Sequence, residues 1–151
     1  NVTPPNRNEG LITRSFKLEQ NTDVNLKNYA NLSDGICGDL KAMMINGKPM
    51  DMTYINENIK KGDVEIWRIS VDDLRHPFHI HGCSFKILQQ EEKKPEAYAS
   101  GWKDIVHVDG EKWSEIIVKF NHEASKDNPY MYHCHILEHE DCGMMGQFTV
   151  S

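Results

Sequence analysis

Six of the eight histidines in this 151-residue chain fall in two short segments, His76-Pro77-Phe78-His79-Ile80-His81 and His133-Cys134-His135 followed by His139. Imidazole is costly to bury without a partner, so a fold that accommodates both clusters must join them around something that uses their nitrogens. Both segments read as extended chain: Pro77 disfavours a helical conformation at His76, and the approach to His133 is rich in aromatic residues. Successive side chains of a strand point to opposite faces. His133 and His135 therefore share one face and Cys134 takes the other, while His79 and His81 share a parity that His76 does not.

This alternation sorts the donors into two sets. His76, Cys134, His139 and the weaker thioether of Met144 make a His2Cys set with a long axial Met, the donor set of a blue-copper electron-transfer centre. His79, His81, His133 and His135 converge on the opposite side and suit copper or another borderline metal. Structural zinc is the competing reading. It favours closed spacings such as CxxC with HxxxH, does not recruit Met, and leaves the HxH pairs without a purpose.

The rest of the chain predicts an all-β fold. Short runs rich in Val, Ile, Phe, Tyr and Trp at 11–18, 64–70, 85–88, 105–108, 115–120, 130–134 and 147–150 are separated by turn clusters such as Asn46-Gly47-Lys48-Pro49, Lys61-Gly62-Asp63 and Asp109-Gly110. That spacing reads as an antiparallel Greek-key sandwich or barrel. Residues 136–141 allow one or two helical turns, and 91–100 reads as a charged loop. One domain is expected over 11–151, with 1–10 as a linker-like segment entering it from something before. With 17 Lys+Arg against 23 Asp+Glu, a formal charge of -6, a phosphate-tracking nucleic-acid surface is not expected. No apolar run approaches the roughly 18 residues of a membrane span. Cys37, Cys83 and Cys142 are expected as buried free thiols, the last two near the metal-binding region.

The stretches His-Pro-Phe-His-Ile-His-Gly at 76–82 and His-Cys-His-Ile-Leu-Glu-His-Glu-Asp-Cys-Gly-Met at 133–144 resemble the two copper signatures in the C-terminal cupredoxin domain of bacterial multicopper oxidases, of the copper-resistance cuprous oxidase and laccase-like group. Gly101-Trp102-Lys103-Asp104 and 114–122 extend the likeness, which runs from Gly62 to Ser151. The resemblance implies a cupredoxin-like Greek-key fold. It implies type 1 copper on His76, Cys134, His139 and Met144, type 2 copper on His79, and type 3 copper on His81, His133 and His135. Cys134 and Glu140 would be catalytic, the first as the electron conduit and the second as the acid that relays protons to reduced oxygen.

In that family half of the cluster histidines come from HxH motifs in an N-terminal domain, and only His107 and His122 remain here outside the two signatures. The resemblance therefore implies a trinuclear cluster shared with N-terminal cupredoxin domains as partners. O2 would be the oxidant, a phenol, aromatic amine or Cu(I) the reductant, and the location periplasmic or extracellular. Asp72 matches one acid of the family's Cu(I) site, but Leu74 stands where a Met is expected; Met43, Met44, Met50 and Met52 read equally as core filling or soft-metal delivery. The alternative function is a stand-alone blue-copper electron-transfer protein, which would leave His79, His81, His133 and His135 unused.

Overall fold

The computed structural model describes residues 11–21, 42–72, 75–136 and 142–151. Among the described residues eleven strands form two facing sheets. They are β1 (Ile12–Asn21), β2 (Ala42–Ile45), β3 (Glu57–Ile59), β4 (Val64–Val71), β5 (His76–Ile80), β6 (Phe85–Gln89), β7 (Trp102–Lys103), β8 (Ile105–Val108), β9 (Ser114–Lys119), β10 (Tyr130–Cys134) and β11 (Met145–Val150). One sheet runs β2-β1-β4-β9-β6-β7 and the other β3-β11-β10-β5-β8. This is the expected all-β, cupredoxin-like sandwich, and the seven anticipated runs all lie on strands.

Two pairings depart from a purely antiparallel meander: β1 runs parallel to β4, and β3 parallel to β11. Both bring together strands far apart in the chain, which local turn signals do not encode. The 91–100 loop contains one 3-10 turn, Ala97–Ala99. Residues 1–10 and most of 136–141 lie outside the described residues.

The core between the sheets is aromatic. Phe16, Trp67, Phe78, Phe120, Tyr132 and Phe148 are essentially inaccessible to solvent. Phe16 and Trp67 have ring centroids 4.5 Å apart, and Trp67 meets Tyr132 edge-on at 5.6 Å. Such edge-to-face contacts add to the burial that drives folding. The core holds β5 against β10 as a rigid pair, and on that pair both histidine segments ride.

Candidate metal centre

In the antiparallel ladder of β5 and β10, His133 lies opposite His79 and Cys134 opposite Phe78. The ladder is prolonged at both ends, where the His135 N–H donates to the Pro77 carbonyl at 2.7 Å and the His81 N–H to the Met131 carbonyl at 2.8 Å. On β5 the burial alternates, with His76, Phe78 and Ile80 inside and Pro77 and His79 half-buried on the outer face. A one-residue slip would send His76 outward and His79 into the apolar core, so burial of Phe78 and Ile80 holds the register that separates the two donor sets.

On the inner face His76 and Cys134 are fully buried, with His76 Nδ1 3.2 Å from Cys134 Sγ. Met144 is equally buried, and its carbonyl accepts the Cys134 N–H at 3.1 Å, so the thiol and thioether residues are tied through the backbone. A soft sulfur beside a borderline imidazole nitrogen in a dry pocket is a donor pair that fits copper. His139 and Glu140, the other residues expected here, lie outside the described residues.

On the outer face His79, His81 and His133 each offer a nitrogen, and these nitrogens all lie within 4.8 Å of one another. His81 Nε2 and His133 Nε2 are 3.0 Å apart. His133 Nδ1 is 3.0 Å from the Cys134 carbonyl, to which it donates as N–H, so that Nε2 is the ring acceptor turned toward His81. His135 is exposed, with its ring centroid 5.6 Å from that of His79 and 5.7 Å from that of His133. Four imidazole rings thus share one patch. Burial, and then the neighbouring His133, push His79 and His81 below the ordinary histidine value, so both favour the neutral form that can coordinate. Among the described residues His79 Nδ1 is buried without a hydrogen-bond partner, and the Asp104 carboxylate stands 4.0 Å away. Imidazoles converging at this spacing suit a borderline metal such as copper.

A cavity of about 670 Å³ opens beside this patch, lined by His79, His81, Cys83, Asp104, His122 and Tyr130 among others. His122 thus approaches the cluster, whereas His107 lines a different cavity with Arg75 and Tyr98. Cys83 is a free, half-buried thiol whose pKa burial pushes up to about 12. Cys142 corrects the expectation of a free thiol: it is disulfide-bonded. Cys37 and Leu74 lie outside the described residues. Asp72 is half-buried and accepts the Gln20 N–H at 3.3 Å. Met43, Met44 and Met50 are buried, and Met52 is exposed. Asp104 was not singled out as a site residue from sequence, although it ends the Gly101-Trp102-Lys103-Asp104 stretch; its place just before β8, the strand paired with β5, brings it beside His79.

The model of the multicopper oxidase family matches residues 15–151. The multicopper oxidase mco of Staphylococcus aureus is 41% identical over 112 residues, which cover 71% of this chain and 24% of that protein. The cell division protein FtsP of Photorhabdus laumondii is 35% identical over 105 residues, 70% of this chain and 22% of that protein. Among solved structures, the laccase-like multicopper oxidase CueO from Ochrobactrum sp., described with oxidase activity towards lignin model compounds and lignosulfonate, superposes with a TM-score of 0.80 at 40% identity. That match covers 97% of this chain and 32% of that one. The multicopper oxidase from Campylobacter jejuni, described as a metallo-oxidase, gives 0.73 at 27% identity over 99% of this chain and 32% of that one. The chain therefore spans about a quarter of the length of the curated relatives it matches.

Proposed function

The chain belongs to the multicopper oxidase family, and on that premise we propose that it is the C-terminal, copper-binding cupredoxin domain of such an oxidase, spanning 11–151. The observation that carries the reading is the back-to-back arrangement of β10: Cys134 beside His76 on one face, His133 among the imidazoles of His79 and His81 on the other. His76, Cys134, His139 and Met144 would hold type 1 copper. His79 would hold type 2 copper, and His81, His133 and His135 their share of a type 3 pair completed by N-terminal domains. Copper held by these residues would supply one-electron chemistry for the oxidation of a small reductant, a phenol, an aromatic amine or Cu(I), with O2 as the oxidant reduced to water.

The chain's own part is geometric and protic. Cys134 is covalently continuous with His133 and His135, so the polypeptide itself joins the two donor sets by the shortest possible path. The apolar surroundings of Cys134, Met144 and Phe78 exclude water from the inner set. The Cys134 carbonyl holds the His133 Nδ1 proton and so aims Nε2 at the cluster. Glu140, assigned from the motif, would pass protons toward reduced oxygen. The blue-copper carrier reading leaves the imidazole patch unexplained. A disulfide at Cys142 favours an oxidising compartment, which supports a periplasmic or extracellular location. Among the described residues no helix is long and apolar enough to cross a membrane.

Loading with Cu(II) should give an intense blue thiolate-to-copper absorption that Cys134→Ser abolishes. With the N-terminal domains present, His81→Ala should stop O2 consumption and leave the blue band. A Cys134→Ser protein that stays blue would overturn the assignment.

A further inference from the structure

We infer that residues 43–50, a segment outside both histidine motifs, form the scaffold that sets the position of Met144 and thereby tunes the reduction potential of the inner site. The inference rests on the type 1 ligand reading above. A thioether is a weak axial donor that does not define its own distance from a metal. Whatever holds the Met144 backbone therefore decides how closely its sulfur approaches.

Two hydrogen bonds attach that segment to the loop before Met144: the Met43 N–H donates to the Cys142 carbonyl at 3.3 Å, and the Met50 N–H to the Gly143 carbonyl at 2.8 Å. Gly143 sits between them at φ +107, a conformation that side chains rarely adopt. A Cβ there would meet Pro49 Cβ at 2.9 Å, the Met43 carbonyl oxygen at 3.0 Å and the Met50 nitrogen at 3.2 Å. Two of those three atoms are backbone and yield little. The Gly143 carbonyl also accepts the Met145 N–H at 2.8 Å, curling the chain tightly around Met144. Met144 is thus fixed on one side to Cys134 and on the other to the hairpin, and the Cys142 disulfide adds a covalent tether at the loop's start.

The hairpin is itself immobilised. Asn46 and Gly47, at φ 54 and 75, form the two-residue turn that right-twisted strands favour, closed by reciprocal bonds between Ile45 and Lys48. The Asn46 side chain then clamps β1, its Oδ1 accepting the Lys17 N–H at 2.8 Å and its Nδ2 donating to the Ser15 carbonyl at 2.9 Å. Position is thereby transmitted from β1 through Asn46 and Pro49 to Gly143 and Met144.

The test uses the copper-loaded 151-residue chain, with potentiometry, the visible spectrum and electron paramagnetic resonance as readouts. Gly143→Ala should keep one blue copper but raise its potential, in the same sense as Met144→Leu, and alter the copper hyperfine splitting. Asn46→Ala, which touches nothing near the metal, should shift the potential the same way by less. In a Met144→Leu background Asn46→Ala should add no further shift, because the coupled partner is gone; a merely structural role would not show this coupling. If the wild type is blue and Cys134→Ser is colourless, yet Asn46→Ala leaves the potential and hyperfine splitting unchanged, the scaffold is refuted while the ligand reading stands. If the wild type itself gives no blue band, the ligand reading fails first. Should Gly143→Ala not fold, Asn46→Ala alone decides.

Discussion

Replacing Arg14 with Met should destabilise the domain by about 3 kcal/mol, the lower end of what removing one partner of a buried ion pair costs. Arg14 on β1 reaches Glu65 on β4 through Nε at 2.8 Å and Nη2 at 3.0 Å, and Glu57 on β3 through Nη1 at 2.7 Å. It therefore bridges the two sheets. Glu65 is fully buried and also accepts the Trp67 Nε1–H at 2.8 Å, so without Arg14 a carboxylate would remain in the interior with its charge uncompensated. The Arg14 side chain is 23% exposed, which lets water reach the vacated space and sets the estimate at the lower end. For a domain of this size that corresponds to a fall in Tm of roughly 6–12 °C. Thermal melts followed by near-ultraviolet circular dichroism provide the measurement. The double variant Arg14→Met/Glu65→Gln keeps an acceptor for Trp67 while removing the charge, and should recover most of the loss. If it melts no higher than Arg14→Met alone, the uncompensated charge is not the cause.

Glu57→Gln tests the same network through pH. Burial raises the Glu57 carboxyl above its ordinary value despite the opposing pull of Arg14, so the wild type loses stability as pH rises through the raised value. Urea unfolding at about pH 4 and about pH 7 should show the Gln variant gaining on the wild type at the higher pH; a gain at the lower pH instead would be the wrong sign. Gly82→Ala should cost about 1–3 kcal/mol from its φ of +72 alone, and its Cβ would fall 2.5 Å from the Tyr130 ring. Because Gly82 follows His81, copper stoichiometry at the outer set should drop while the blue band persists, and full copper loading would count against His81 as a ligand. Met144→Leu should retain the blue colour and raise the potential; an unchanged potential would move the axial role elsewhere, with Met145 next to be tested.

The division of donors into two faces was legible in the sequence because it depends on strand parity alone: once 76–80 and 130–134 are extended, His76 and Cys134 must point away from His79 and His133. The turn cluster at Asn46-Gly47 was equally legible, since Asn and Gly are the residues that accept the left-handed conformation both adopt here. What that hairpin holds was not. Its bonds to Cys142 and Gly143 span more than half of the chain, as does the parallel pairing of β3 with β11, and the bridge from Arg14 to Glu57 joins different sheets; no local propensity encodes a contact between such distant segments. The same holds for Asp104 beside His79 and for the disulfide at Cys142, which was expected as a buried free thiol because the sequence assigned it no partner. Periodicity determines which side of a strand a residue occupies, because that is a property of the backbone repeat. Which residue faces it from across the sandwich is decided only when the aromatic core closes and brings the two sheets together.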